Sequence, residues 1–287
     1  MSIKLMFKTI FYYIIIFSNL QITFSFLNFL SHHNLIKYKN DKNNIVVITP
    51  TYFRKTQIPD LLRVGLSIKE AQKETNIIWI IVEDHDIIQN NIGKIIGSLK
   101  IKNYIYTAIK TQYHSCHRGI TQRNYGLNIT RNIIYYINDK NNNYYKKQEK
   151  NIGDNIMIYF GDDDNTYLPS LFSNIAKNCS RKVCVFNVGL ISGRNFEGPK
   201  ISKTNKKIVI GWHTSWRNDR KYAIDMAGFT FKGSILIEKE NLFFQDNTKC
   251  GKQEDDFIQK IAENIKKDVE ALDTDKILVW HTKSFSS

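Results

Sequence analysis

Short apolar runs alternate along the chain with segments whose apolar residues recur at helical spacing. The runs have no turn-forming residue in their interiors, so we expect them to be strands buried on both faces. They occupy residues 45–49, 77–82, 104–109 and 156–160, and helical segments are predicted at 58–71 and 119–138. Strands that alternate with helices at this spacing predict an α/β protein with a mostly parallel sheet covered on both faces.

The helix predicted at 58–71 has an apolar face that the spacing assigns to five residues. These are Ile58, Leu61, Leu62, Leu66 and Ala71. Pro59 is compatible with this helix because proline, which lacks a backbone N–H, is tolerated in the first turn.

The second half of the chain is richer in loops and has shorter apolar runs. A helix is predicted at 168–176, and short strands are predicted at 183–188, 207–212 and 224–231. An amphipathic helix at 254–266 is expected to bury Phe257, Ile258, Ile261 and Ile265. A final strand is predicted at 277–280.

The first residues have the pattern of a membrane signal-anchor. Residues 1–8 are short and basic, and residues 9–30 are almost all apolar or aromatic, which is long enough to span a bilayer. Lys4 and Lys8 precede the span, so the bulk of the chain is expected on the lumenal side. The alternative is a cleaved signal peptide with its apolar region at 10–17, but an Ala-x-Ala-like cleavage site is missing. We therefore expect a cytosolic tail at 1–8, an anchor at 9–30, a short stem at 31–44 and a folded domain at 45–287.

The composition favours a folded domain of enzyme size over a disordered chain. Aromatic residues make up 13% of the 287 residues, which is typical of proteins with a packed core. The net charge of +14 is compatible with an acidic partner, but lysine is abundant throughout the loops, which indicates a general bias rather than one basic face. The sequence has no nucleic-acid-binding module, so no nucleic-acid partner is expected.

Four cysteines, Cys116, Cys179, Cys184 and Cys250, lack the paired C-x-x-C spacing of structural zinc sites. Their even number permits one or two disulfides in an oxidising compartment, and buried free thiols are the alternative. The spacing does not decide between the two.

The strand predicted at 156–160 leads into three consecutive carboxylates, Asp162, Asp163 and Asp164. Adjacent like charges repel, so a cation or basic side chains must compensate them. Carboxylates suit hard divalent ions, and ligands of open α/β sheets bind beyond the carboxyl ends of the strands. The pattern predicts a site for a metal ion and a nucleotide. The alternative is a cap for the next helix, which Asp164 or Asn165 would provide.

Eight short blocks follow one another in order along the chain. They are Thr49-Pro50-Thr51-Tyr52, Val82-Glu83-Asp84, Arg118-Gly119 with Gln122-Arg123-Asn124, Asp162-Asp163-Asp164-Asn165-Thr166-Tyr167, Val188-Gly189-Leu190, Phe196-Glu197-Gly198-Pro199, Asp225-Met226-Ala227-Gly228-Phe229 and Val279-Trp280-His281-Thr282. With the predicted anchor, they resemble the β-1,3-glucuronosyltransferases of glycosyltransferase family 43. The resemblance implies the GT-A fold, in which one α/β nucleotide-sugar domain is fused to an acceptor-binding half.

The resemblance also implies which residues bind the donor, UDP-glucuronate. They are Pro50, Thr51, Tyr52, Asp84, Arg118, Arg123, Asp162, Asp163, Asp164, His281 and Lys283. Tyr52 would stack on uracil, Asp84 would hydrogen-bond its ring and Asp163 would hold the ribose. Arg123 would also neutralise Asp162. Lys283 stands where the family usually has an arginine, and so offers a point charge in place of a bidentate fork.

The implied chemistry is an inverting sugar transfer that needs one base and one metal ion. Asp164 would be the protein ligand of a Mn²⁺ cofactor at the donor diphosphate. Glu254 would be the catalytic base that takes the proton of a galactose 3-hydroxyl. Without the resemblance, Glu254, Asp255 and Asp256 are equally an acidic first turn favoured by the helix dipole.

The acceptor would be bound by Glu197, Trp216, Arg220 and Asp225, with Trp216 stacking on a galactose ring. The expected acceptor is galactosyl-galactosyl-xylosyl-protein, the proteoglycan linker. The alternatives are N-acetyllactosamine of glycoproteins, or a catalytically inactive lumenal glycan-binding member of the family. The protein is expected to be a type II protein of the Golgi membrane, and a homodimer is compatible with the resemblance.

Overall fold

The computed structural model describes residues 44–111, 118–144, 152–191, 193–217 and 219–282. The predicted tail, anchor and stem up to residue 43, and the predicted donor residue Lys283, lie outside these ranges. Within them, no helix combines the length and the apolar character needed to cross a bilayer. The domain boundaries drawn from the sequence therefore stay predictions.

The four apolar runs of the first half form four adjacent parallel strands of a seven-stranded sheet. Its strands are β1 (Asn44–Thr51), β2 (Asn76–Glu83), β3 (Tyr104–Ala108), β4 (Ile156–Phe160), β6 (Val183–Val185), β10 (Phe229–Lys232) and β11 (Val269–Ala271), in the order β11-β6-β10-β4-β1-β2-β3. Strand β1 pairs in parallel with β2 and β4, whereas β10 is antiparallel to β4 and β6. The predicted α/β class and mostly parallel sheet are confirmed.

A second sheet is built from short strands of the loop-rich half. Its strands are β5 (Thr166–Tyr167), β7 (Val188–Gly189), β8 (Phe196–Ile201), β9 (Val209–His213) and β12 (Val279–Trp280), in the order β5-β12-β7-β8-β9. The prediction of a single strand at 224–231 is wrong for its first residues. The carboxylate of Asp225 accepts a hydrogen bond from the N–H of Ala227 and caps a 3₁₀ turn at Met226–Gly228, so β10 begins only at Phe229.

The helices in the described ranges are α1 (Gln57–Ala71), α2 (Asn90–Ser98), α3 (Ile120–Tyr144), α4 (Pro169–Asn178), α5 (Ser234–Glu238), α6 (Gln253–Ile261) and α7 (Ile265–Asp268). The sequence predicted α6 and α7 as one helix. The backbone is extended at Ala262, and the side chain of Asn264 accepts hydrogen bonds from the N–H groups of Lys266 and Lys267. This N-cap starts a new helix.

Helix α1 buries only part of the predicted face: Leu61 and Ala71 are buried as predicted, whereas Ile58 and Leu66 are not. Leu61, Val64, Ile68 and Ala71 are buried, at the three-four-three spacing of one helical stripe. Ile58 and Leu66 are exposed. Leu66 lies five residues after Leu61, which places it off the stripe.

Alternate residues of β1 face the two layers that cover the sheet. Ile45 and Val47 belong to the core formed with α1, whereas Ile48 lies under Gly126 of α3. Phe160 of β4 is paired with Ile48. It is the centre of an aromatic cluster that we define as Phe160, Phe229, Phe231, Phe244 and Phe257. Because Phe257 belongs to α6, the cluster fixes that helix to the end of β4.

A disulfide joins Cys179, which follows α4, to Cys184 in β6. Among the alternatives left open by the sequence, this pair is therefore a disulfide and not two free thiols. The bridge closes the short connection between the helix and a strand of the larger sheet.

Replacing Gly126 by alanine is expected to destabilise the fold. The added Cβ would lie 2.4 Å from Cγ2 of Ile48, and relieving such a contact inside a packed core costs about 1–3 kcal/mol. Urea denaturation measures the loss. The matched control is Gly97→Ala in α2, where the Cβ meets the Tyr104 hydroxyl at 3.5 Å. Equal unfolding midpoints for the two variants would contradict the assigned packing of α3 on β1.

Candidate active site

The carboxyl ends of three neighbouring strands bring the predicted donor residues to one edge of the larger sheet. The N–H of Asp84, after β2, donates to the carbonyl of Thr51 at 2.8 Å, and the N–H of Gly161, after β4, donates to that of Ile48 at 2.9 Å. Tyr52, Asp84 and the acidic triplet therefore follow adjacent parallel strands, at the edge where ligands of α/β sheets bind.

Tyr52 is accessible to a ligand, whereas the carboxylate of Asp84 already has hydrogen-bond partners. Tyr52 is 43% exposed as a residue, so it is accessible as a stacking platform requires. Asp84 already accepts hydrogen bonds from the N–H and the hydroxyl of Thr111, at 2.9 and 3.0 Å. Pro50 and Thr51 end β1 and are buried, so they shape the floor of this edge.

The three carboxylates of the triplet have different surroundings. Asp162 is paired with Arg123, with 2.5 Å between its Oδ1 and the arginine Nη2. Asp163 is buried and paired with Arg54, with 2.8 Å between its Oδ2 and the arginine Nη1. The side chain of Asp164 has no ion-pair partner within the described residues.

Arg123 reaches Asp162 because the chain turns sharply before α3. Gly119 has a φ of +76°, and a Cβ there would lie 2.9 Å from Nη1 of Arg123, so only glycine fits. The same nitrogen donates to the carbonyl of Arg118 at 2.9 Å. The predicted donor residue Arg118 is itself exposed.

A cavity of about 720 Å³ lies beside this edge. Its walls are formed by Leu190, Ile191, Glu197, Trp216, Arg220, Ile224, Asp225, Gly251, Glu254, His281 and Thr282. The four predicted acceptor residues and the predicted base therefore line one space, although they come from separate loops, a strand and a helix. Among the predicted donor residues, His281 also faces this cavity.

Glu254 lies in the first turn of α6, on the cavity wall. Burial and the negative charge of Asp225 raise the pKa of its carboxyl group to about 7, against the opposing effect of Arg123 and Arg220. A carboxyl group with this pKa is suited to take up a proton near neutral pH.

The remaining acidic residues of the same turn have structural partners. The Asp255 carboxylate is buried and accepts a hydrogen bond from the N–H of Tyr222 at 2.8 Å. Asp256 accepts one from the hydroxyl of Thr248 at 2.8 Å. The interpretation of Asp255 as part of an acidic first turn only is therefore incomplete, because it also fixes the backbone before Asp225.

Hydrogen bonds hold the predicted acceptor residues Glu197 and Arg220 in the wall of the cavity. Glu197 accepts hydrogen bonds from the Thr214 hydroxyl and the Ser215 N–H, each at 3.1 Å. Arg220 donates to the carbonyl of Trp216 at 2.8 Å. Trp216 itself is 53% exposed. The two charged residues thus hold the turn that presents the indole ring to the cavity.

The donor set can accept a divalent cation. Among the residues that the structure describes, Asp164 provides a carboxylate without an ion-pair partner and its two neighbours are neutralised by arginines, so a cation there would balance the remaining charge. The hydroxyl of Thr282 donates to the Asp164 carbonyl at 2.9 Å and fixes the loop. Elsewhere in the described ranges, the ligand atoms of Cys179, Cys184 and Glu270 converge, but the disulfide uses both sulfurs.

Sequence reasoning missed Arg54 and Leu190. Arg54 contacts both Tyr52 and Asp163, and a basic residue two positions after the predicted platform was the available signal. Leu190 lines the cavity with a φ of +58°; it belongs to the block Val188-Gly189-Leu190 that carries the resemblance, but it was not predicted as a site residue. Its position in that block was the available signal, and its side chain is exposed and not part of the core.

Comparison with known proteins places the chain among glycosyltransferases. Residues 70–284 match the family model described as Glycosyltransferase family 43. A mouse protein named galactosylgalactosylxylosylprotein 3-beta-glucuronosyltransferase 2 is 32% identical over 254 residues, which cover 84% of this chain and 68% of the mouse protein. A human protein named galactosylgalactosylxylosylprotein 3-beta-glucuronosyltransferase 3 is 28% identical over 270 residues, which cover 84% of this chain and 70% of the human protein.

A solved structure resembles the fold. The crystal structure of S. aureus TarS 1-349 superposes with a TM-score of 0.53 at 16% sequence identity. The match covers 83% of this chain and 60% of that one, which is less than two thirds of its length. At this identity the similarity concerns the fold alone, and it supports a GT-A-like α/β architecture.

Proposed function

The chain belongs to glycosyltransferase family 43, and we propose that it transfers glucuronic acid from UDP-glucuronate to the 3-hydroxyl of a terminal galactose. The observation that carries the proposal is the cavity, in which Glu254 and the residues Glu197, Trp216, Arg220 and Asp225 surround one space. That space adjoins the strand edge with the acidic triplet, so a donor at the edge and an acceptor in the cavity would meet.

The proposed acceptor is galactosyl-galactosyl-xylosyl-protein, the trisaccharide linker of proteoglycans. The mouse and human relatives are named for this acceptor. An exposed indole, Trp216, next to charged and hydrogen-bonding side chains suits a sugar, whose ring has an apolar face and a polar rim.

In the proposed reaction, Glu254 takes the proton of the acceptor 3-hydroxyl. The oxygen attacks the anomeric carbon of glucuronic acid from one face, and the bond to the diphosphate breaks on the other, so that UDP leaves with the electron pair and the configuration inverts. The pKa of Glu254, about 7, lets it be ionised when the acceptor arrives and hold the proton afterwards.

The donor would be held by the strand edge. Tyr52 would stack on uracil, Asp84 would contact its ring and Asp163 would hold the ribose, while Arg118 and Arg123 would bind the charged part of the donor. Asp164 would hold Mn²⁺, which when bound would neutralise charge on the leaving diphosphate. His281 and Lys283 are proposed as further donor residues near the diphosphate and the sugar.

The activity is expected to rise with pH through about pH 7. Only ionised Glu254 accepts the proton, and its pKa is about 7, so kcat/KM should fall below that pH. Because Asp225 raises this pKa, Asp225→Asn should move the midpoint of the rise to lower pH, whatever its effect on the maximal rate. A pH–rate profile measures both. A midpoint near the ordinary glutamate value of about 4.3 in the unmodified protein would contradict the assignment.

A transfer assay tests the proposed function. The purified lumenal part is given radiolabelled UDP-glucuronate, Mn²⁺ and a panel that includes the linker trisaccharide and N-acetyllactosamine. We expect label on the linker with a β-1,3 bond. Binding of the acceptors without transfer would instead favour the inactive glycan-binding alternative. Preferred transfer to N-acetyllactosamine would show that this glycan, and not the linker trisaccharide, is the acceptor.

We also propose that residues 9–30 anchor the protein in Golgi membranes, with the catalytic domain in the lumen. The apolar span behind Lys4 and Lys8 supports this. The full-length protein is expected to stay in the membrane pellet after alkaline carbonate extraction. Its release as a soluble species would argue for the cleaved signal peptide.

A further inference from the structure

Arg54 lies in the loop between β1 and α1, and its guanidinium group is held by acidic residues on two elements. Its Nη2 donates to Oδ2 of Asp60 at 2.8 Å, and its Nη1 donates to Oδ2 of Asp163 at 2.8 Å. Asp60, in the first turn of α1, is buried, and its other oxygen is paired with Arg63 at 3.0 Å. The guanidinium is therefore anchored to the scaffold on one side and holds Asp163 on the other.

The same guanidinium lies over the ring of Tyr52, with 4.9 Å between its Cζ and the ring centroid. Its Nε donates to the Thr56 hydroxyl at 3.2 Å. Its side chain is 14% exposed. Since the nitrogens of Arg54 have these partners, the group is arranged to act through its neighbours and not to receive a ligand of its own.

We propose that Arg54 is a positioning residue of the donor site, whose guanidinium fixes the Tyr52 ring and the Asp163 carboxylate relative to each other before the nucleoside binds. The inference rests on the proposed function, because it assigns the uracil platform to Tyr52 and the ribose contact to Asp163. A base and its ribose are joined by a single bond, which keeps them at a short separation, so a platform and an acceptor already held at the matching separation bind them at a lower ordering cost.

A lysine cannot replace Arg54 in this role. It has no planar fork to bridge Asp60 and Asp163 at once, and its ammonium group does not stack flat on a ring. Arg54→Lys therefore keeps the charge and removes the bridge. The expected result is a loss of about tenfold or more in affinity for uridine and, in the same proportion, for UDP with Mn²⁺.

The matched control is Arg131→Lys. Arg131 also lies over an aromatic ring, 5.0 Å from the centroid of Phe243, and its Nε donates to the Leu236 carbonyl at 3.1 Å. Arg131 thus shares the ring contact of Arg54 but bridges no pair of carboxylates among the described residues, and Arg131→Lys is expected to leave uridine affinity unchanged. Calorimetric titrations of both variants with uridine and UDP, beside thermal melting curves, make the comparison.

Each outcome of the test has one meaning. Weaker uridine binding by Arg54→Lys but not by Arg131→Lys, with a rise in donor KM that exceeds the fall in kcat, supports the proposal. Weaker UDP binding with unchanged uridine binding would show a direct phosphate contact and overturn it. Lower melting temperature with both affinities unchanged would show a purely structural ion pair and also overturn it.

A second variant covers the case in which Arg54→Lys does not fold. Asp60→Asn keeps the size of the anchor but removes its charge, so the guanidinium loses its fixed position and uridine affinity should fall, by less than in Arg54→Lys. Unchanged affinity in a folded Asp60→Asn protein would overturn the proposal. Failure of the unmodified protein to bind UDP at all would instead refute the proposed function, which keeps the two failures distinguishable.

Discussion

Glu254→Gln is expected to lower kcat by about two to four orders of magnitude while leaving affinity for UDP nearly unchanged. The amide keeps the shape and the start of α6 but cannot take up the acceptor proton. Burial beside Asp225 gives the natural carboxyl group a pKa of about 7, which is the property that the amide lacks. Steady-state kinetics and calorimetric UDP titrations measure the two quantities.

The control for this variant is Asp256→Asn in the same turn of α6. Asp256 accepts a hydrogen bond from Thr248 and does not line the cavity in the described part of the chain, so its loss should affect stability by about 0.3–1 kcal/mol and turnover little. Asp255 is a poorer control because it is buried against the N–H of Tyr222. Near-normal turnover of Glu254→Gln, or equal losses in both variants, would show that Glu254 is not the base.

Asp164→Asn is expected to abolish the strengthening of UDP binding by Mn²⁺. A neutral amide oxygen is a weak ligand for a hard cation, and Asp164 is the member of the triplet that no arginine neutralises within the described residues. UDP affinity should therefore become the same with and without Mn²⁺. Isothermal titration in the presence of Mn²⁺ or of a chelator measures the difference.

Asp86→Asn provides the control, because this exposed carboxylate follows β2 by three residues and is not proposed as a ligand. It should retain the full metal dependence. If Asp164→Asn kept a metal-dependent affinity equal to that of the unmodified protein, another group would have to hold the cation and the assignment would be wrong.

The strands of the first half were predictable because their signal is local, whereas the strand predicted at 183–188 is interrupted between Val185 and Val188. Residues 156–160 are apolar without interruption, and the observed β4 has the same bounds. The face of α1 was not, because Leu66 and Ile58 are as apolar as Leu61, and only packing against the sheet decides which stripe is buried. Local side-chain chemistry also broke predicted elements, as where Asp225 caps a turn in front of β10.

The candidate site was predicted as a set of residues and not as a geometry. The residues came from blocks in order along the chain, whereas the convergence of Glu197, Trp216 and Glu254 on one cavity depends on loops that are distant in sequence. The role of Arg54 depends on where its guanidinium lies relative to Asp60 and Asp163. A pattern in one sequence does not show in which direction the guanidinium group of Arg54 points.

The aromatic cluster around Phe160 supports the helix with Glu254 and the strand end with the acidic triplet. Substitutions in the turn with Trp216 should therefore leave that part of the site unchanged. Phe160 immediately precedes the segment with the acidic triplet, and its ring lies 5.9 Å from that of Phe257 in the helix that bears Glu254. The proposed base and the proposed donor edge thus share a rigid core, whereas Trp216 belongs to a turn held by hydrogen bonds from Arg220 and to Glu197. Libraries that vary residues 214–217 should therefore yield folded enzymes with new acceptor preferences, and random changes in the cluster should yield mostly inactive ones. Such a division allows acceptor preference to diverge between lineages while the chemistry is inherited unchanged.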